Sequence, residues 1–301
     1  MPVHLLTACL VALTLARPGI GASEERYYGS LLTDAEVNYS QGKFGGPDTT
    51  RTLRTLGTIR YFYRAFEAEV TLSYLRDSNI GVSLLTLAGP VPVAPFRQPR
   101  AEPPACRARP RQCPGFNEAG QRYKARADLP PFALEENRIT SDGFGDIDLR
   151  VGYEAVPEEG RVPSLMAWAK VKFPTADADV GLGTGRTDAA LGVYLFKSFG
   201  DVYASLEVSG TYIGRLPDVP FRNTMGATAS VGYRFTPHLA AYAFSTLRSS
   251  AVRDRPASAE VGLGGTYRLL PGLRAKLSGT VGLTDSAPDF GLTFSLAYSF
   301  F

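Results

Sequence analysis

From Leu32 to Phe300 the chain is dominated by a period of two, carried in segments of about ten residues separated by Gly, Pro, Asp and Ser turns. No helical stripe competes with it. In Asp146-Ile147-Asp148-Leu149-Arg150-Val151-Gly152-Tyr153-Glu154-Ala155, one face carries Ile147, Leu149, Val151, Tyr153 and Ala155, and the other carries Asp146, Asp148, Arg150 and Glu154. Ala259 to Arg268, Leu273 to Leu283 and Ala227 to Phe235 repeat the pattern, each with one apolar and one polar or ionic face. The period therefore predicts an all-β chain. Strands are expected near 30–41, 52–64, 66–76, 144–156, 163–174, 187–198, 201–213, 224–236, 238–248, 258–269, 273–284 and 289–300, about twelve in all.

Alternation alone does not tell a soluble barrel, whose oily face turns inward, from a membrane barrel, whose oily face turns out. Four features favour the membrane form. The strand number is even, as bacterial single-chain barrels require. The links alternate in length: short turns at 64–66, 157–162, 198–200, 236–238 and 270–272 are separated by mostly longer links such as 174–186, 214–223 and 248–256, matching short periplasmic turns and longer external loops. The last segment alternates Phe290, Leu292, Phe294, Leu296, Tyr298 and Phe300 with small or polar residues and ends on Phe301, the kind of aromatic end that barrel-assembly machinery reads. Finally, Leu5 to Ala16 is an apolar run of signal-peptide length before Pro18-Gly19 and Ala22, so residues 1–22 read as a secretory signal, although only His4 stands where Lys or Arg is usual.

The expected product is one transmembrane antiparallel β-barrel over 23–301, in the bacterial outer membrane with lipid as its surroundings. Aromatics at predicted strand ends, namely Tyr63, Phe66, Tyr153, Phe199, Tyr203, Tyr233, Phe235, Tyr267 and Tyr298, are expected to form a periplasmic girdle. Lys197 is the one charge expected on the lipid face, at a strand end where its cost is about 0 to 1 kcal/mol. The net charge of +3 is spread along the chain, which points away from a nucleic-acid partner. Three Cys and two His fall short of the about four ligands of a structural zinc site, and no metal or other cofactor is expected.

Three motifs carry a family likeness: Gly143-Phe144-Gly145-Asp146 with the strand to Tyr153, Lys170-Val171-Lys172-Phe173-Pro174-Thr175, and Gly181-Leu182-Gly183-Thr184-Gly185-Arg186-Thr187-Asp188. Together they resemble the outer-membrane proteins named for the meta-pathway of phenol degradation. The likeness covers residues 140–215, with Ala176 where Gly usually follows Pro-Thr. It implies a β-barrel and uptake of small, often aromatic, solutes, and it brings no catalytic residues. Read without it, Gly181 to Gly185 is expected to be a mobile external loop, because no helix follows to aim its amides at a phosphate. An enzyme is not expected either, since mature His238 sits beside Pro237 in a short turn.

The expected lumen lining is Arg60, Glu67, Glu69, Asp146, Asp148, Arg150, Lys170, Lys172, Glu207, Arg234, Glu260, Arg268, Arg274 and Lys276. Arg60 and Arg64 should meet Glu67 and Glu69 across the Arg64 turn, and Lys170 and Lys172 should meet Asp146 and Asp148. Arg268, Arg274 and Lys276 converge without an adjacent acid, leaving two options: carboxylates from elsewhere, such as Glu207, or an anionic solute. A channel for small, aromatic or amphipathic solutes and a structural or interaction barrel with an occluded, salt-bridged lumen both fit. The Pro-rich link 77–142 is expected outside, stapled by a Cys106–Cys113 disulfide, with 82–87 either an external strand extension or a segment folded into the lumen.

Overall fold

A computed structural model describes residues 29–44, 49–78, 83–87, 89–92, 140–178, 182–216, 219–253 and 255–300. The expected signal at 1–22 and the Cys106–Cys113 disulfide lie outside these residues. The described strands are β1 (Ser30–Gly42), β2 (Thr50–Tyr63), β3 (Phe66–Ser78), β4 (Ser83–Thr86), β5 (Gly89–Pro92), β6 (Thr140–Phe144), β7 (Ile147–Val156), β8 (Ser164–Phe173), β9 (Asp188–Phe199), β10 (Val202–Tyr212), β11 (Thr224–Arg234), β12 (Leu239–Arg248), β13 (Ser258–Leu270), β14 (Leu273–Gly282) and β15 (Phe290–Phe300).

All barrel pairings are antiparallel, and each strand from β7 to β15 pairs with the next. The ring closes where β1 pairs β15, Leu31 facing Phe300 and Gln41 facing Phe290. On the other side β3 pairs both β6 and β7. The last two are one wall strand interrupted at Gly145-Asp146, so the barrel has the twelve strands expected. A separate β4–β5 hairpin lies within the long link.

The alternation works as predicted, with the usual interior inverted. Leu263 is 70% exposed and Leu191 68%, and Leu72, Val151, Val193, Val231, Leu277 and Leu292 join them on the outer face. Glu67, Glu69, Asp146, Asp148, Lys172 and Asp188 are buried. A water-soluble monomer rarely exposes apolar surface on this scale. In a bilayer this face is the buried one, because closing the sheet satisfies every backbone group and hydrocarbon covers the outside.

The start of β1 at Ser30 and the end of β15 at Phe300 lie at the rim with the short turns. Four of these turns use a left-handed backbone residue, at Arg64 (φ 54), Gly160 (φ 51), Gly200 (φ 64) and Gly272 (φ 81), a conformation that the residues without Cβ adopt at no steric cost. At the opposite, extracellular rim the loops pack together. Ile213, Val219, Phe221, Ala251 and Val252 form a small apolar cluster, and Phe221 bridges to Val252.

Two expectations are corrected here. Tyr203 does not join the periplasmic girdle: it shares the inward phase of Glu207, and its ring covers Gly232. The described part of the Gly-rich segment is not a free loop. Leu182 is buried against Leu75 and Ala176, and Gly183 packs so closely on Ala176 and Asp146 that a Cβ would fall 2.9 and 3.0 Å from them. The glycines serve this close approach at the barrel rim.

Candidate functional site: the barrel lumen

The lumen has one ionic wall and one aromatic wall. Lys170, Arg150, Glu67 and Arg60 project inward from β8, β7, β3 and β2 because they share the phase opposite the exposed apolar residues. Lys170 Nζ lies 2.9 Å from Asp148, and Arg150 Nη1 lies 2.8 Å from Glu67 Oε1. Arg60 completes the run, 3.6 Å from Glu67 and paired with Glu69. The expected cross-turn pairs form for Arg60, Lys170 and Lys172, whereas Arg64 lies over the Tyr63 ring, 5.4 Å from its centre.

At the extracellular end the ladder becomes a sealed cluster. Lys172 Nζ is 2.8 Å from Asp146 Oδ2 and 3.2 Å from Asp188 Oδ2, and it donates to Thr184 Oγ1 at 3.1 Å. Asp146 Oδ1 accepts the Ala176 amide at 2.9 Å. Asp188 accepts the Gly214 amide and the Leu87 amide, each at 2.9 Å. The three motifs separated in sequence thus meet at one point, which ties the loop after β8, the loop after β10 and the β4–β5 hairpin to the wall. The Leu87 amide reaching Asp188 places this turn at the lumen mouth. Buried charges of this kind persist only when fully partnered.

From Arg60 to Asp188 the wall carries four cations (Arg60, Arg150, Lys170 and Lys172) and five carboxylates (Glu67, Glu69, Asp146, Asp148 and Asp188). The surplus negative charge is met by Arg54, which lies in the field of Asp148, Asp146 and Glu36. Glu207, on the facing side, interacts with Arg150, Lys170 and Arg248, and Arg248 also interacts with Glu260.

The other wall is built from rings laid over glycines. A Cβ added at Gly192 would fall 2.5 Å from Trp168, at Gly232 2.1 Å from Tyr203, at Gly262 2.4 Å from Phe244 and at Gly264 2.4 Å from Tyr242. Each pair joins cross-strand neighbours, so the glycine lets an inward ring lie flat against the sheet. Tyr203 also meets Phe196 with ring centres 6.2 Å apart, and Tyr242 meets Phe244 at 5.8 Å. Arginines join the two surfaces: Arg150 sits 5.0 Å from the Trp168 ring centre, and Arg234 sits 5.3 Å from that of Tyr203.

Arg268, Arg274 and Lys276 do converge at the periplasmic end, with Arg268 directly opposite Arg274. Glu207 is not their counter-ion, since the cations that act on it are Arg150, Arg248 and Lys170. Lys276 instead meets the field of Asp34 from β1. Sequence reasoning omitted Asp34, Glu36, Arg54, Asp188, Arg248 and the aromatic wall from the lining. Their phase along β1, β2, β8, β9, β10 and β12 was the available signal.

A closed barrel with an apolar outside, an ionic inside and short turns along one rim is an outer-membrane β-barrel. The family described as "Putative MetA-pathway of phenol degradation" matches residues 120–300, and the chain belongs to it. In fold the chain is similar to the COG4313 outer membrane channel from Pseudomonas putida F1, with a TM-score of 0.64 and 12% identity over 95% of this chain and 100% of that one. More distant likenesses are the NanC porin (TM-score 0.49, 10% identity, 89% and 99% covered) and the CymD monoaromatic hydrocarbon channel (TM-score 0.43, 12% identity, 91% and 88% covered). No curated protein matches.

Proposed function

We propose that this barrel is a channel for small amphipathic solutes, aromatic ones included. The observation that carries the reading is the two-sided lumen: the ladder from Arg60 to Lys172 meets ring faces at Trp168 on its own edge strand β8, and these continue through Phe196 and Tyr203 to Tyr242 and Phe244 on β12. A solute with an apolar ring and a polar group matches both surfaces, whereas bulk hydrocarbon leaves the charged wall desolvated. The family's name and the channel whose fold the chain shares support the same reading. The test is KCl conductance of the purified barrel in planar bilayers, with liposome swelling in phenol and in a sugar of similar mass. Conductance, with faster entry of phenol than of the sugar, is the expected result.

A second reading, an occluded structural or interaction barrel, draws on the Leu87 turn held at the extracellular mouth by Asp188. Absence of both conductance and flux favours it. Insertion by barrel-assembly machinery is proposed from the alternating aromatic face of β15.

A further inference from the structure

We propose that Arg268 and Arg274 form a carboxylate-binding site at the periplasmic mouth, and that its ligand is a small aromatic acid. The link to aromatic solutes rests on the channel reading. The site itself rests on local geometry. The two arginines are direct partners across the β13–β14 hairpin, and both point inward. Like charges opposite one another on adjacent strands are destabilising without a counter-charge. None is supplied among the described residues: Arg268 is the charge acting on Arg274, Asp34 acts on Lys276 and Arg60, and Glu207 and Glu260 act on Arg248. Arg268 Nε is shielded from solvent and donates no hydrogen bond. Arg274 is exposed at the rim. A carboxylate would fill both needs, since guanidinium forks match its two oxygens.

The surroundings select a ring beside that carboxylate. Next to Arg274 on β15 stands Ala297, on the other side the Arg268 amide donates to the His238 carbonyl, and Ala240 on β12 stands next to Thr266, one inward position further along β13. Beyond Ala240 lies its partner Arg234, stacked on Tyr203. One inward position further into the barrel, Gly232 is flanked by Tyr203 and Tyr242. The Tyr242 hydroxyl is buried and has no hydrogen-bond partner. Cationic groups at the mouth are thus followed by a ring-lined surface with an unused hydroxyl.

Isothermal titration of the full-length barrel in detergent, with benzoate and with uncharged benzyl alcohol, tests the site independently of conduction. Benzoate should bind at least about tenfold more tightly than benzyl alcohol. The R268Q/R274Q pair should lose about tenfold or more of that affinity, while K276Q, altered at the cation that has Asp34, should retain it. Gel mobility before and after heating reports folding, and R274Q alone, at the exposed position, serves if the double variant does not fold. Equal benzoate affinity in wild type and a folded arginine variant overturns the proposal, as does absence of binding to wild type. In bilayers, benzoate binding without conductance sinks the channel reading and leaves the site standing. Conductance in a protein that does not bind benzoate does the reverse.

Discussion

Asp188 is a single residue on which three segments depend. Fully buried, it accepts the Gly214 and Leu87 amides and faces Lys172. Without it Lys172 keeps Asp146, but the Gly214 and Leu87 amides lose their acceptor, which at about 1 to 3 kcal/mol for each costs about 2 to 6 kcal/mol. Asp188→Ala should therefore destabilise the folded barrel by about that amount, read from urea unfolding followed by the fluorescence of Trp168, the chain's single tryptophan. A change below about 1 kcal/mol would show that water reaches the cluster and that it does not tie the loops to the wall.

Among the elements, the β7–β8 turn shows how a periplasmic link is held. Glu158 accepts hydrogen bonds from Lys197 Nζ, the Ser198 amide and the Ser198 hydroxyl, each at 2.8 Å. Burial pushes its carboxyl up, but these donors outweigh burial and hold it below the usual 4.5. The same contacts account for Lys197, which reaches from the lipid-facing phase of β9 into the turn. With its folded value depressed, Glu158 contributes stability that is complete above the unfolded value and is lost as pH falls through the folded one. Between neutral pH and pH about 3, the wild type should lose more stability than Glu158→Gln. Parallel urea midpoints for the two proteins across that range would remove the contacts from the account.

At the scale of the whole molecule, the apolar outside is the feature that places the protein in the outer membrane. Leu263 is a mid-strand position and 70% exposed on that face. Leu263→Arg should destabilise the inserted barrel by about 2 to 4 kcal/mol, the cost of a guanidinium facing lipid near mid-bilayer. Refolding yields into vesicles, scored by heat-modifiable gel mobility, measure it. Undiminished yield would mean that this face does not meet hydrocarbon.

The sequence by itself determined the strand number, the face each side chain takes and the membrane it inhabits. Those properties follow from a period of two and from link lengths, which are local. The cross-turn pairs of Arg60 with Glu69 and Lys170 with Asp148 were legible for the same reason, since a hairpin fixes its own register. Ring closure and shear decided the rest. They bring Asp188, Gly214 and Leu87 together from three separate loops, and they set Asp34 rather than Glu207 near Lys276. The aromatic wall lay between these extremes: the inward phase of each ring was written in its strand, but which glycine it would cover depended on the register of the strand beside it.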